Sequence, residues 1–529
     1  MNSTLSSLVA ACLLLAGCNT TQAPSDNATL SANQTDSKTA TDTPQMESVS
    51  TYYQHLVSTT PMPLAELSLF LNEMPKGGDL HHHYSGSLYV ETYLDWLDKQ
   101  HYCVYRIDDS KTKAKKFKVE TRADKLALFE KERELNSKKP DTEKTESTCL
   151  NYDEIQANNT FYRELLSVWS NKDFYNHAQL QQPPDKQFFD TFGYFGDVSD
   201  YSFETGLKII KARAKQENIQ YIETMLKSSP SVACPANLAS QFSALSESSS
   251  DAQIEQAFDQ LYTYLKNNAP NAQAINEFVR SVETAANTID DAQFTMRFQA
   301  YVSRNSKPEK IFSGLYSSFA ANKASTKIVG INFVGPENGY IAMRDYRLHM
   351  KMFQFLKKQF PDSKLSLHAG ELVIGMVPPE GLTYHINDAI HLAGANRIGH
   401  GVDIANESDA ADLLKLMREK DIAIEINLTS NEFILGVANN AHPLQLYRSQ
   451  KVPFVISTDD SGVSRSNLSH EYFLFASRYK PSYPELKQTV FNSIRYSFLS
   501  ANEKNTELAN LNKRFDEFER SVEKNIQHK

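Results

Sequence analysis

Eight short apolar runs recur along this chain: "GDLHHHY" (78–84), "YIETML" (221–226), "FTMRFQAYVS" (294–303), "IVGINFVG" (328–335), "LSLHAGE" (365–371), "IGHGV" (398–402), "AIEINLTS" (423–430) and "PFVISTDD" (453–460). Helical patterns separate them, as in "TYHINDAIHLAGA", where Ile386, Ala389, Ile390 and Ala393 share one face before Gly394. Strands alternating with helices require a parallel sheet, and eight such units predict a closed (β/α)8 barrel, the TIM-barrel form of the α/β class. More than a hundred residues separate the first two runs, so the barrel carries a long insertion at about 101–218. A helical tail follows residue 465, with Phe473, Phe475, Phe491, Tyr496 and Phe498 positioned to pack against the barrel.

The flanks and the charge narrow the function classes. A net charge of −9 gives no global basic footprint, which argues against a nucleic-acid partner and favours a small molecule. Residues 1–18, "MNSTLSSLVAACLLLAGC", form an apolar run too short to span a bilayer and read as a cleaved signal. Leu15, Ala16, Gly17 and Cys18 resemble the lipobox of bacterial lipoproteins, although no Lys or Arg precedes the run. That resemblance implies lipid anchoring through Cys18 and a place at the cell envelope, with Asn19 pointing to the outer membrane and the folded part facing the periplasm or the exterior. Residues 19–50 are too polar to bury a core and read as a tether, and 51–73 as a helical arm. The barrel then spans 74–529. Within the folded part Cys103, Cys149 and Cys234 remain; Cys103 and Cys149 can close a disulfide, and three free thiols is the alternative. The sequence leaves open whether the chain forms a homodimer.

Polar residues gather where the apolar runs stop: His81 and His83, His368 and Glu371 in "HAGE", His400 in "RIGHG", Asp459 and Asp460 in "STDD". The C-terminal ends of parallel barrel strands share one face, so these residues would meet there. On a strand His81 and His83 point to one side and His82 to the other. Three imidazoles and a carboxylate suit zinc or a similar divalent ion, which lowers the pKa of water towards neutrality. A carboxyl not spent on the metal, Glu371, is then free to pass a proton, and His400 to orient or deprotonate the water.

The segments "MPKGGDLHHHYSGS", "INFVGPE", "HAGE", "RIGHGVDI" and "STDD" resemble, in type and order, those of the adenosine deaminase family. The insertion after the first strand resembles that of its extracellular branch, the adenosine deaminase-related growth factors. The resemblance implies one zinc ion per chain on His81, His83, His368 and Asp459. It implies Glu371 as proton donor to purine N1, His400 as partner of the attacking hydroxide, and Gly335 and Asp460 at the two ring edges. The implied reaction is hydrolytic deamination of adenosine or a related purine nucleoside to inosine and ammonia. The family often carries an acidic ribose contact just after the second histidine; here stand Tyr84 and Ser85, which leaves Ser85 as a neutral sugar contact and makes 2'-deoxy or 5'-modified nucleosides plausible substrates. Asn332 replaces a common Asp beside the metal. Two other readings stay open: another metal-dependent amidohydrolase on the same barrel, and a non-catalytic binding or signalling lipoprotein.

Overall fold

The structure, a computed structural model, describes residues 44–527 except 109–114, 146, 177–181 and 247. The signal, Cys18 and the tether up to residue 43 lie outside the described residues. Eleven strands run in chain order among the described residues: β1 Gly77–His83, β2 Cys103–Asp108, β3 Lys115–Glu120, β4 Cys149–Leu150, β5 Ile219–Met225, β6 Thr295–Ser303, β7 Ile328–Val334, β8 Ser366–Ala369, β9 Arg397–His400, β10 Ala423–Ile426 and β11 Phe454–Ile456. Eight of them, β1 and β5 to β11, fall on the eight apolar runs.

Those eight pair in parallel as two four-stranded sheets, β1-β5-β6-β7 and β8-β9-β10-β11. Two parallel bridges join the sheets, Ile331 to Leu365 between β7 and β8, and His82 to Asp459 between β1 and the chain leaving β11. The second is doubly bonded: Asp459 N donates to His81 O at 2.8 Å and His83 N to Asp459 O at 3.3 Å. The ring of eight parallel strands is thereby closed, as the sequence predicts. It closes for a physical reason, since a parallel sheet has to be covered on both faces and a barrel leaves no free edge.

The barrel interior beneath the site is polar, and its central charges are paired. Arg397, 1% exposed, donates to Glu223 Oε2 at 2.6 Å and to Glu425 Oε1 at 2.5 Å. Phe498, from the C-terminal tail, lies 3.8 Å from the guanidinium and closes the floor. Burial opposes the charge of Glu425, yet Arg397 and then His81 hold its carboxyl down to about 2. A guanidinium shared by two carboxylates meets the requirement that buried charge be paired and hydrogen-bonded.

The insertion is a structured layer. β2 pairs antiparallel with β3 and β4, and a Cys103–Cys149 disulfide joins β2 to β4 while Cys234 stays free. Its charge-dense helix Ala123–Ser137 buries no residue, which is the solvated face its composition suggests. Other parts reach the C-terminal side of the barrel: Asn171 N donates to Val463 O at 2.8 Å, Phe174 packs on Phe433, and Asn338 donates to Asp185.

One boundary is corrected. The segment expected to be tether up to residue 50 is already helical from Pro44, in a helix that continues to Ser58. Val49, Tyr53, Leu56 and Val57 recur at helical spacing and are fully buried, so the apolar stripe begins before the polar composition ends. A second helix, Leu64–Glu73, completes the arm. Helices Leu468–Tyr479, Tyr483–Arg495 and Ala501–Gln527 form the expected tail.

Candidate active site

β1 carries both ends of the first histidine pair into one cluster. His81 and His83 each turn Nε2 towards His368 Nε2, at 3.0 and 3.2 Å. Asp459 Oδ1 lies 3.6 Å from His81 Nε2 and 3.3 Å from His83 Nε2. His82, from the opposite face of the strand, bonds Thr224 Oγ1 through Nδ1 at 2.8 Å and takes no part in the cluster. The strand period separates the three histidines as the sequence implies.

These distances test whether the residues fit a metal. Donors about 2.0 to 2.1 Å from a tetrahedral zinc lie about 3.3 Å from one another, and four donor pairs here fall around that value. The proton positions agree. His81 Nδ1 contacts Glu425 Oε2 at 2.6 Å and His368 Nδ1 contacts Asn332 Oδ1 at 2.8 Å, so each Nδ1 carries the proton and each Nε2 presents a lone pair. Two lone pairs facing each other at 3.0 Å repel unless a cation lies between them. Burial, the largest influence, pushes His83 down to about 4 and His368 well below the imidazole range, which keeps both neutral and able to ligate. Burial opposes charge on His81 too, but Asp459 and Glu425 raise it to about 10: the two carboxylates demand positive charge at this point.

Glu371 sits beside the cluster without joining it, 7% exposed, with Oε1 3.6 Å from His400 Nδ1. Burial and then the charges of Asp459 and Glu337 push its carboxyl well above the usual range. A carboxyl whose pKa is raised in this way is suited to donate a proton. Asp460 is raised for the same reasons, burial first and Asp459 second, and its Oδ1 has no hydrogen-bond partner among the described residues. Gly86 lies so close beneath that a Cβ there would collide with Asp460 Oδ1. Gly335, at the end of β7, has φ +96°. That backbone conformation requires glycine, a stronger reason than the close approach of a ring alone.

Two strand-end residues with side chains hold left-handed backbone conformations, His400 at φ +67° and Asp459 at φ +59°. His400 Nε2 lies 4.0 Å from Asp459 Oδ2, at the edge of the cluster. Ser85 is half-buried in the short helix Tyr84–Ser87 after β1. Tyr84 is unsuited to a sugar contact: it is buried against Phe203, and its hydroxyl donates to Ser202 O at 3.3 Å.

Several supporting residues escape the sequence reading. Glu337, in "GPE", accepts from Gly370 N at 3.1 Å and Glu371 N at 2.8 Å, which fixes the turn that aims Glu371. Burial opposes its ionisation, but Arg304 and His385 hold it down to about 2. Glu425 orients His81 from across the barrel. A signal for Glu337 lies in its place within "INFVGPE"; Glu425, inside the apolar run "AIEI", is marked as a charge where a strand should be buried on both faces.

Comparisons with known proteins agree with this geometry. Residues 262–514 match the family model for adenosine deaminase. The adenosine deaminase of Clostridium perfringens is 31% identical over 175 residues, 33% of this chain and 47% of that protein. That of Escherichia coli is 32% identical over 179 residues, 34% and 49% of the two chains. The chain thus spans about half the length of the curated relatives it matches. In fold it resembles Arabidopsis ADAL solved with IMP, at TM-score 0.52 and 15% identity, covering 85% of this chain and 99% of that one. It also resembles the Arabidopsis N6-mAMP deaminase, at TM-score 0.51 and 15% identity, covering 84% and 99%. The fold is the barrel of these two proteins, and residues 262–514, which hold Gly335, His368, Glu371, His400, Asp459 and Asp460, are similar to the adenosine deaminase family.

Proposed function

We propose that this protein is an adenosine deaminase family hydrolase that removes the 6-amino group of a purine nucleoside. The observation that carries the reading is the convergence of His81, His83, His368 and Asp459 on one point, with a buried carboxyl, Glu371, beside it whose hold on its proton is strengthened by burial. A divalent ion held by those four, with zinc the best match to three imidazoles and a carboxylate, supplies the Lewis acidity that makes water a nucleophile near neutral pH. Glu371 gives its proton to ring nitrogen N1, which makes C6 electrophilic. Asp460 Oδ1, without a hydrogen-bond partner among the described residues, and the backbone N–H of Gly335 meet the ring edges. Water adds at C6, the amino group leaves as ammonia, and the product is the 6-oxo purine. With Tyr84 committed to Ser202, Ser85 is the neutral sugar contact, which keeps 2'-deoxy and 5'-modified nucleosides among the substrates.

The test is purified protein of measured metal content, incubated with a panel of purine nucleosides while ultraviolet absorbance and ammonia are followed. Turnover of adenosine or a sugar-modified analogue is expected. Stoichiometric metal with no turnover of any 6-aminopurine nucleoside would sink the reading and favour a binding role.

The proposal extends to location, as a lipoprotein of the cell envelope anchored through Cys18. Its support is the lipobox-like sequence and the Cys103–Cys149 disulfide, a bond that persists in oxidising compartments. Among the described residues no helix is long and apolar enough to cross a membrane. The disulfide-bearing insertion supports a likeness to the extracellular growth-factor branch. Cys18→Ser should release the protein from membranes or stall its processing; wild-type protein recovered solely in a soluble fraction would remove the anchor.

A further inference from the structure

We infer that Asn431 and His442 are positioning residues that place the proton of His400 on Nε2, so that His400 donates a hydrogen bond to the reacting oxygen and does not remove a proton from it. The inference rests on the proposed deaminase reaction and assigns the direction of one hydrogen bond within it.

The direction is fixed from a donor of unambiguous polarity. Leu444 N, a backbone N–H, lies 3.1 Å from His442 Nδ1, so Nδ1 accepts and the ring proton is on Nε2. His442 Nε2 lies 3.1 Å from Asn431 Oδ1 and donates to it. The amide nitrogen of Asn431 then faces His400 Nδ1 at 2.9 Å and donates in turn. Asn427 Nδ2 aims at the same nitrogen from 3.4 Å. With two amide donors on it, His400 Nδ1 is an acceptor. The proton of the neutral ring is on Nε2, the nitrogen that faces Asp459 and the metal cluster. All four side chains are buried, so water does not offer an alternative partner. Burial, and then the nearby Arg478, keeps His442 neutral, pushed down to about 3.

A ring that carries its proton on Nε2 cannot accept one there. It stabilises negative charge on the oxygen that attacks C6, and the amide donors of Asn431 and Asn427 on Nδ1 hold the ring in that attitude. The alternative role for His400, deprotonating the water, requires the opposite tautomer, which would set an N–H against the amide protons of Asn431 and Asn427.

The test uses the full-length, zinc-loaded protein and three variants. His442→Ala removes the donor to Asn431; His442→Gln restores an amide donor near the position of Nε2; Asn431→Asp replaces a donor at His400 Nδ1 by an acceptor. Each should keep the metal content and the KM of wild type. His442→Ala should lower kcat by about 10²-fold, the usual loss when a transition-state donor is misplaced. His442→Gln should recover to within about tenfold of wild type, and Asn431→Asp should fall at least as far as His442→Ala. NMR of isotope-labelled histidine in wild type should show the His400 proton on Nε2, and in Asn431→Asp a proton on Nδ1. A His400 proton on Nδ1 in wild type overturns the inference, as does His442→Gln no better than His442→Ala. If wild type proves inactive on every nucleoside, the functional reading fails, and the wild-type ring spectrum still decides the tautomer.

Discussion

The two half-barrels share one architecture and differ in what they contribute. β1, β5, β6 and β7 are 7, 7, 9 and 7 residues long; β8, β9, β10 and β11 are 4, 4, 4 and 3. The long half presents a pair of candidate metal ligands at regular strand alternation, His81 and His83. The short half lets the chain leave the ladder early, and at those exits stand His368, Glu371, His400, Asp459 and Asp460. Two of these, His400 and Asp459, hold left-handed backbone that side chains adopt at a cost. Such strain persists where surrounding structure over-determines it, and here Asp459 is pinned by two backbone bonds to β1. Regular backbone suffices to aim two ligands; irregular backbone is needed to bring single residues from separate strands onto the same point.

Breaking the long half at its ligands should have the largest effect. His81→Ala and His83→Ala should abolish both metal binding and turnover, while His82→Ala, on the opposite face, keeps both; metal analysis of the three variants decides it. In the short half, Glu371→Gln should retain the metal and lose about 10² to 10⁴-fold in kcat, the range for a lost proton-transfer group. Near-normal kcat would place the proton transfer elsewhere.

The link between the halves comes next. Glu425 on β10 orients His81 on β1, and Glu425→Gln should weaken metal affinity by about 10 to 100-fold, measured by competition with a chelator. The short half also carries buried carboxyls without counter-ions. Glu407 is raised to about 8, by burial first, while the N–H groups of Ile386 and Asn387 partly offset it. A folded-state pKa above the unfolded one means that the native state binds the extra proton, so stability falls as pH rises from about 4.5 through 8. Glu407→Gln should flatten that fall in denaturant unfolding, and an unchanged profile would assign it to other groups. The smallest effect concerns strain: His400→Gly should be more stable than His400→Ala by about 1 kcal/mol, because only glycine takes φ +67° freely. Equal stabilities would mean that the exit from β9 relaxes once the imidazole is gone.

Much of this was legible in the chain. Alternation of short apolar runs with helical patterns is a local property, and all eight runs became barrel strands. The rule that parallel strand ends share a face turned scattered histidines and acids into one site, even though His81 and His83 lie outside the span that matches the deaminase family. The strand period set His82 apart. The start of the first helix at Pro44 was missed because polar composition masked a buried stripe at Val49 and Tyr53.

The sequence by itself determined the barrel, the insertion and the identities of the cluster residues, because periodicity and residue chemistry are carried by neighbours along the chain. The tertiary structure alone decided who holds them. Glu425 meets His81 across 344 residues and Asn332 meets His368 across 36; His442 reaches His400 through Asn431. Tyr84, adjacent to His83, instead turns to Ser202 in the insertion. Hydrogen-bond partnership depends on distance and direction between atoms, and for residues far apart in the chain these exist only after the barrel has closed.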